Sequence, residues 1–533
     1  MGGQPRAGGR TAPREARLDR PALLLLVALV AVGAWVRFHD LPQQCLLGDE
    51  LHALRAAARR SYAELFTFYA PADNSIPLSL YARLLMDTVG VTELRLRAPI
   101  ALAGFLLMLA PLLFRRSLGT PAIVLAVALA AVSPTLVYFS YFARPYSPSA
   151  LFVVIELFLW ERWVTTRSAR VGVAFGSIAA LACFFHLFGA VPVAVLFLAS
   201  LGLALRGQLG LRSWVLAAAA AAVLSLGLLG PGLAGLLEHR AGKIGGGELD
   251  QSYMLRAFAR LTGLGPVGMV SFAALALLGS WRALATRRTF GTALVSVVVA
   301  QWVAVGALQP FGDPSAWSRY VFPAWIPHLL LVAVGLEGLL AGLGRLVPGT
   351  LTAQERQALL IAALIPVGTL AFSLIPVFDW RRNSFRTLRE TLDRQAAEPS
   401  PAPVYAFLRD EADAGDTVLE CGVAASAEGW MQYRRGQLAH GKWVRLVSLG
   451  GEVQLTTGAH YRNLLPLEDE RALEASGARY LVLHSLPGAP APAERGSRRR
   501  IRDQRIERAR AELERRYGAP VWAGERHVVF DLR

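Results

Sequence analysis

The sequence predicts an all-α, multi-span membrane domain followed by a small α/β domain. Three observations predict it. Of 533 residues, 54% are hydrophobic and only 18% charged, where a soluble globular chain carries about 25% charge. The mean hydropathy is +0.40, and the apolar residues fall in blocks of about twenty, the length at which a helix crosses a hydrocarbon core. Backbone groups in lipid must be bonded within their own segment, so such blocks are helices. Beyond about residue 378 the blocks give way to short alternating runs, the pattern of strands and amphipathic helices.

The elements follow in order. Residues 1–20 carry Arg6, Arg10, Arg14, Arg17 and Arg20 among Gly, Pro and Ala, and read as a disordered basic tail. Pro21 to Val36 is the first apolar block. A cleaved signal peptide competes there, but the many spans that follow favour an uncleaved signal anchor. Ten further spans are expected near 97–114, 120–138, 148–164, 171–186, 190–205, 214–231, 266–284, 290–308, 322–342 and 357–377, about eleven in all. An odd count puts the two termini on opposite sides. Arg115, Arg116, Arg167, Arg170, Arg206, Arg212, Arg282, Arg287, Arg288, Arg345 and Arg356 would then share one side, while the connections at 139–147 and 186–190 contain one Arg between them. Arginine-rich short loops stay cytoplasmic. The chain is therefore expected in the plasma (inner) membrane, N-terminus cytoplasmic and C-terminal domain extracytoplasmic.

The same loops explain the net charge of +16: they are orientation signals and contacts for anionic headgroups, so no nucleic-acid partner is expected. Arg495 to Arg516 interleaves with Glu507, Glu512 and Glu514, as an exposed salt-bridged helix does. The three cysteines, Cys45, Cys183 and Cys421, make neither a disulfide framework nor a metal signature. Each reads as a small apolar residue, with a Cys45–Cys421 pair as the alternative that the topology allows.

Three segments lie outside the spans: an outer loop at 38–96 with interfacial amphipathic helices, a loop at 232–265 read as mobile for its Gly245-Gly246-Gly247 run, and the domain 378–533. In that domain Thr417–Cys421, Tyr480–His484 and His527–Leu532 read as strands, Val404–Ala414 and Glu468–Ser476 as helices. It shows neither a phosphate-binding Gly loop nor a catalytic cluster.

Four polar features map to one membrane face. Gly48-Asp49-Glu50 puts two carboxylates just after the first span. They fit a helix N-cap or a general base, Asp49, with Glu50 orienting it or binding substrate. Ser133-Pro134 through Arg144-Pro145-Tyr146-Ser147 offers an arginine among aromatics, an interfacial anchor or a phosphate ligand. Ser318-Arg319-Tyr320-Val321-Phe322-Pro323 opens a later span, and His186 ends another; alone, that histidine reads as interfacial. Their convergence suits a reaction between a phosphate-linked lipid substrate and a polar acceptor.

These residues carry a resemblance to the GT-C fold glycosyltransferases, specifically the protein O-mannosyltransferase and aminoarabinose transferase group. It rests on Asp49-Glu50, Pro77-Leu78-Ser79-Leu80-Tyr81, Val91-Thr92-Glu93-Leu94-Arg95-Leu96-Arg97-Ala98-Pro99, the Ser-Pro to Arg-Pro-Tyr-Ser segment at 133–147 and Ser318-Arg319-Tyr320, across roughly residues 20–345. The resemblance implies a polyprenyl-phosphate sugar donor taken from the outer leaflet, inversion at the anomeric carbon, and Asp49 as the catalytic base. Arg144 or Arg319 would stabilise the departing lipid phosphate, with Tyr146, His186 and Tyr320 lining the substrate site. No cofactor and no metal are expected; membrane lipids and a lipid, glycan or protein acceptor are the partners. Many relatives have His-Pro-Pro where this chain has Ser75-Ile76-Pro77, and β-trefoil-like repeats are missing, which leaves sugar and acceptor open. A transporter or lipid flippase is the competing class, but no internal repeat is visible and only Glu156 looks mid-span, where it would pair with a neighbouring helix. A membrane sensor lacks a cytoplasmic domain of sufficient size.

Overall fold

The computed structural model describes residues 20–38, 41, 50, 53–54, 56–57, 60–67, 75–91, 93–240, 251–309, 317–346, 403–413, 416–421, 443–448, 465–466, 473–474, 477–484, 496–524 and 527–533. The chain forms two compact units, Met1–Phe378 and Asp379–Arg533. The basic tail at 1–19, Cys45, Asp49, the Gly245–Gly247 run and the expected span at 357–377 lie outside the described residues.

The first unit is a helix bundle. Its long helices are α1 (Arg20–Phe38), α2 (Ile76–Asp87), α3 (Glu93–Leu109), α4 (Thr120–Val132), α5 (Pro134–Tyr141), α6 (Tyr146–Thr166), α7 (Ala169–Phe185), α8 (Ala190–Leu205), α9 (Leu211–Leu229), α10 (Gln251–Thr262), α11 (Pro266–Thr286), α12 (Arg288–Leu308) and α13 (Trp325–Leu346). Ten of the eleven expected spans thus have helices in place. Among the described residues six helices are long and apolar enough to cross a membrane, seven if α4 and α5 are one bent span, while α1 and α7 are apolar but shorter. The 21 residues of α6 contain Glu156, Glu161 and Arg162, which lowers that helix's hydropathy. Close approach is set by small residues: a Cβ on Gly279 of α11 would run into the Leu331 carbonyl of α13, and one on Gly335 of α13 into the Leu275 carbonyl. With dispersion rather than water driving helix association in lipid, such pairs let backbones meet.

Three expectations change. The span at 120–138 is not straight: it bends by 55° at Ser133-Pro134, because proline lacks the N–H of the helical ladder. The loop at 232–265 holds the helix Leu233–Arg240 and α10, the latter burying Ala257 and Leu261 against the bundle. Glu156 is fully buried, and among the described residues neither of its carboxylate oxygens has a hydrogen-bond partner. In the outer loop, α2 buries Ile76, Leu78, Ser79, Ala82 and Leu85, so it packs against the neighbouring helices, with Ala82 and Leu85 beside Leu96 and Ala143. One end of the bundle gathers arginines of the short loops: Arg287 donates to the Arg116 carbonyl at 3.3 Å.

The second unit is an α/β sheet of six strands. The strands are β1 (Thr417–Cys421), β2 (Trp443–Ser448), β3 (Leu465–Pro466), β4 (Ala478–His484), β5 (Trp522–Ala523) and β6 (His527–Asp531), in the order β3-β2-β1-β4-β6-β5. β1 lies parallel to β2 and β4, with Cys421 opposite Leu483, and β6 returns antiparallel to β4. Helix α14 (Pro403–Glu411) covers one face through Val404, Tyr405 and Leu408. Helix α15 (Gly496–Tyr517) covers the other through Ile506, Ala509 and Leu513. Cys421 is buried in β1. On the solvent side of α15, Glu512 bonds Arg515 and Arg516 at 2.7 and 2.6 Å and Arg510 bonds Glu514 at 2.8 Å, the expected salt-bridged face.

Candidate functional site

The site is built around the break in the third apolar segment, between α4 and α5. Ser133 is extended, at φ −60° and ψ 116°, and its hydroxyl caps α5 by accepting the Leu136 N–H at 3.4 Å. Trp325 Nε1 donates to the same hydroxyl at 3.3 Å, and Thr135 Oγ1 donates to the Leu261 carbonyl at 2.8 Å. The break is thereby tied to α13 and to α10. From it α5 runs into the turn Phe142–Pro145, closed by Arg144 N–H donating to the Phe142 carbonyl at 2.6 Å, and the chain re-enters the bundle as α6 at Tyr146.

The ring of Tyr146 is held by aromatics of that same turn: its centroid is 4.9 Å from that of Phe139 and 6.3 Å from the nearly parallel ring of Phe142. Ser147 Oγ closes the turn on the Phe139 carbonyl at 2.7 Å. His186 ends α7, its ring 5.2 Å from Tyr146 and 5.9 Å from Tyr320. Its Nδ1 accepts the Phe188 N–H at 3.3 Å, which places the proton of the neutral ring on Nε2. Arg319 and Tyr320 sit in the helical turn Ser318–Val321. Arg319 Nη2 donates to the Tyr320 hydroxyl at 3.0 Å, and its guanidinium lies 4.9 Å from that ring's centre. Gln301 Nε2 fixes the turn by donating to the carbonyls of Tyr320 at 2.6 Å and Phe188 at 3.3 Å.

Arg144, Tyr146, His186, Arg319 and Tyr320 therefore form one cluster, although they come from three separate stretches of chain. Arg144, Tyr146 and His186 are each less than a tenth exposed. The Arg319 guanidinium on the Tyr320 phenol, with Arg144 two residues before Tyr146, sets positive charge beside aromatic rings; charge-assisted bonds from such groups strengthen away from water. Among the described residues no group of three or more His, Cys, Asp or Glu side chains converges.

Glu50 has a different place. Arg97 grips it with Nη2 to Oε2 at 2.8 Å and Nε to Oε1 at 3.0 Å, and Oε1 also accepts the Ala143 N–H at 2.7 Å. The pair is buried, 0% exposed for Glu50 and 2% for Arg97. Glu50 thus fastens the end of the first loop to the residue before Arg144, a positioning contact. Sequence reasoning noticed Arg97 only as part of a motif, and it missed Arg37 and Gln301. The signal for all three was available: a polar side chain with the length to bond, set inside an apolar helix.

The polytopic helix bundle with its broken span, followed by an α/β unit, has the GT-C fold of the solved structures it resembles. The solved structure of ArnT from Cupriavidus metallidurans bound to undecaprenyl phosphate matches with a TM-score of 0.57 and 15% identity, over 95% of this chain and 98% of that one. ArnT from the same organism in the apo state matches with a TM-score of 0.56 at 14% identity, over 96% and 98%. The arabinofuranosyltransferase AftD from Mycobacteria reaches a TM-score of 0.49 at 16% identity, over 97% of this chain and 40% of that one. No family model matches the sequence, and no curated protein matches it.

Proposed function

We propose that this protein is a membrane glycosyltransferase that moves a sugar from a polyprenyl-phosphate donor to an acceptor hydroxyl. The observation that carries the reading is the packing of Tyr146 and Tyr320 on either side of His186, with Arg319 on the Tyr320 hydroxyl and Arg144 two residues before Tyr146. As the sugar leaves, negative charge grows on the lipid phosphate, and two preorganised guanidiniums stabilise that charge in the transition state more than in the ground state. They supply the positive charge that a metal ion would otherwise bring, so transfer runs without a metal. ArnT, the fold neighbour, was solved with undecaprenyl phosphate, which supports a ligand of that class here.

Asp49 is the general base of this reading. It is one peptide bond from Glu50, whose carboxylate is pinned by Arg97 and by the N–H next to Arg144. Asp49 takes the acceptor proton as the hydroxyl attacks the anomeric carbon on the face opposite the departing phosphate, giving inversion. His186 and Tyr146 bind sugar hydroxyls. The cluster faces the outside of a plasma (inner) membrane, with the N-terminus cytoplasmic and residues 378–533 extracytoplasmic; the acceptor is a lipid, glycan or protein.

The test is transfer of radiolabelled sugar from a panel of polyprenyl-phosphate sugars by the purified protein in lipid, with Asp49→Asn, Arg144→Ala and Arg319→Ala alongside. Asp49→Asn is expected to lose at least about a hundredfold in turnover, each arginine variant at least about tenfold, and chelation to change nothing. Wild-type activity in Asp49→Asn removes Asp49 from the chemistry, and loss on chelation that a divalent ion restores sinks metal independence. Protein that neither transfers sugar nor binds undecaprenyl phosphate overturns the reading itself.

A further inference from the structure

In an uninterrupted α-helix the N–H of residue 134 donates to the carbonyl of residue 130. Pro134 has no N–H, and the 55° bend at Ser133 carries the following chain away from the end of α4. The last carbonyls of α4 lose their helical donors inside the bundle, where water does not replace them. Arg37, near the end of α1, makes the bonds instead. Its Nη2 donates to the Ala130 carbonyl at 2.8 Å and its Nη1 to the Ala131 carbonyl at 3.1 Å. Nη1 also reaches the Gly33 carbonyl at 3.1 Å and Met108 Sδ at 3.5 Å.

Arg37 is wholly buried. Among the described residues its hydrogen bonds go to carbonyls and a thioether, with no carboxylate among them. A buried guanidinium is costly in a membrane bundle unless its donors are used, and the broken helix end takes bonds from both terminal nitrogens, while Nε has no hydrogen-bond partner among the described residues. The residue next to it repeats the tie: the Tyr141 hydroxyl at the far end of α5 donates to the Val36 carbonyl. The end of α1 therefore holds the last carbonyls of α4, just before the break, and the far end of α5, and α5 leads directly to the turn carrying Arg144 and to Tyr146.

We propose that Arg37 is a positioning residue for the arginine-aromatic cluster, supplying the hydrogen bond that Pro134 removes and so setting the direction of α5. This rests on reading that cluster as a lipid-phosphate site. Alanine at position 134 would restore the missing backbone donor, which makes the two residues mutually compensating.

The experiment uses the full chain in lipid nanodiscs as wild type, Arg37→Met, Pro134→Ala and the double variant. Thermal unfolding is measured, together with binding of undecaprenyl phosphate well below each transition. Arg37→Met is expected to unfold several degrees earlier and to bind about tenfold more weakly, and adding Pro134→Ala is expected to return at least about half of each loss. Arg37→Lys keeps a charge without the fork that spans two carbonyls and is expected to fall in between. Should Arg37→Met fail to fold, Arg37→Lys with and without Pro134→Ala carries the same comparison. Losses that merely add in the double variant overturn the proposal. So does an Arg37→Met protein that unfolds early yet binds like wild type, since Arg37 is then structural only. An Arg144→Ala control separates the two readings: unchanged lipid binding there sinks the phosphate site, while recovery of unfolding temperature in the double variant still decides the Arg37–Pro134 pairing.

Discussion

Glu50 and Glu512 hold arginines at ordinary ion-pair distance, 2.8 Å to Arg97 and 2.6 Å to Arg516, in two parts of the chain that differ in solvent. Glu50 is sealed in the helix bundle, and its bonds to Arg97 and to the Ala143 N–H connect distant segments of the chain. Glu512 is about a third exposed and bonds residues three and four positions along its own helix. Coulomb attraction in a dry bundle is strong, but so is the cost of desolvation, and the pair persists because its geometry satisfies both oxygens. On α15 water screens the same attraction and solvates either partner once they part. Distance alone says little about what an ion pair does; burial and the sequence separation of the partners decide. Glu156 extends the comparison as a buried carboxyl with no hydrogen-bond partner among the described residues.

The largest expected effect is from stranding the buried charge. Arg97→Met should cost roughly 3–5 kcal/mol of stability in a detergent unfolding titration. Adding Glu50→Gln should recover most of it, because a neutral amide oxygen still accepts the Ala143 N–H. A cost below about 1 kcal/mol would erase the contrast with α15. Glu156→Leu carries the opposite sign: removing an unsatisfied buried polar group should stabilise by about 1–3 kcal/mol. A destabilised variant would mean that the carboxyl is in use. Trp325→Phe removes the hydrogen bond to Ser133 Oγ while keeping an aromatic ring in place, and about 1 kcal/mol is expected in the same titration.

The smallest effect belongs to Glu512. Its bonds from Arg515 and then Arg516 hold the carboxyl down to a pKa of about 2, below the ordinary carboxylate range of about 4.3. A lowered folded pKa means that the contribution is present above the unfolded value and lost as pH falls through the folded one. Glu512→Gln should therefore shift the unfolding midpoint only slightly at neutral pH, and that difference should vanish as pH approaches 2. A difference that persists at pH 2 would point to packing rather than charge.

Much of this was legible from sequence, for reasons that differ by element. Helices stand at ten expected spans because a run of about twenty apolar residues has one stable solution in lipid. β1 was readable from Thr417–Cys421 alone, since a β-branched, apolar run of that length reads as a strand. β3 and β5, two residues each, carry no pattern to read. α10 carries Met254, Ala257, Phe258 and Leu261 at helical spacing against the core, but it is only twelve residues long and follows a glycine run, so it reads as loop. The bend at Ser133-Pro134 was quoted as a motif but read as continuous helix, because a proline in a membrane span is often tolerated.

By itself the sequence determined where ten apolar helices stand and which short stretches bear polar residues, since both follow from local composition. It also placed Arg144, Tyr146, His186, Arg319 and Tyr320 at the ends of helices. The tertiary structure alone decided that Tyr146, His186 and Tyr320 meet, that Glu50 belongs to Arg97 and Ala143, and that Arg37 bonds the helix end before Pro134. Those are contacts between residues tens to nearly two hundred positions apart. They depend on helix packing angles and on which backbone groups a break leaves unbonded, quantities that no local run of residues encodes.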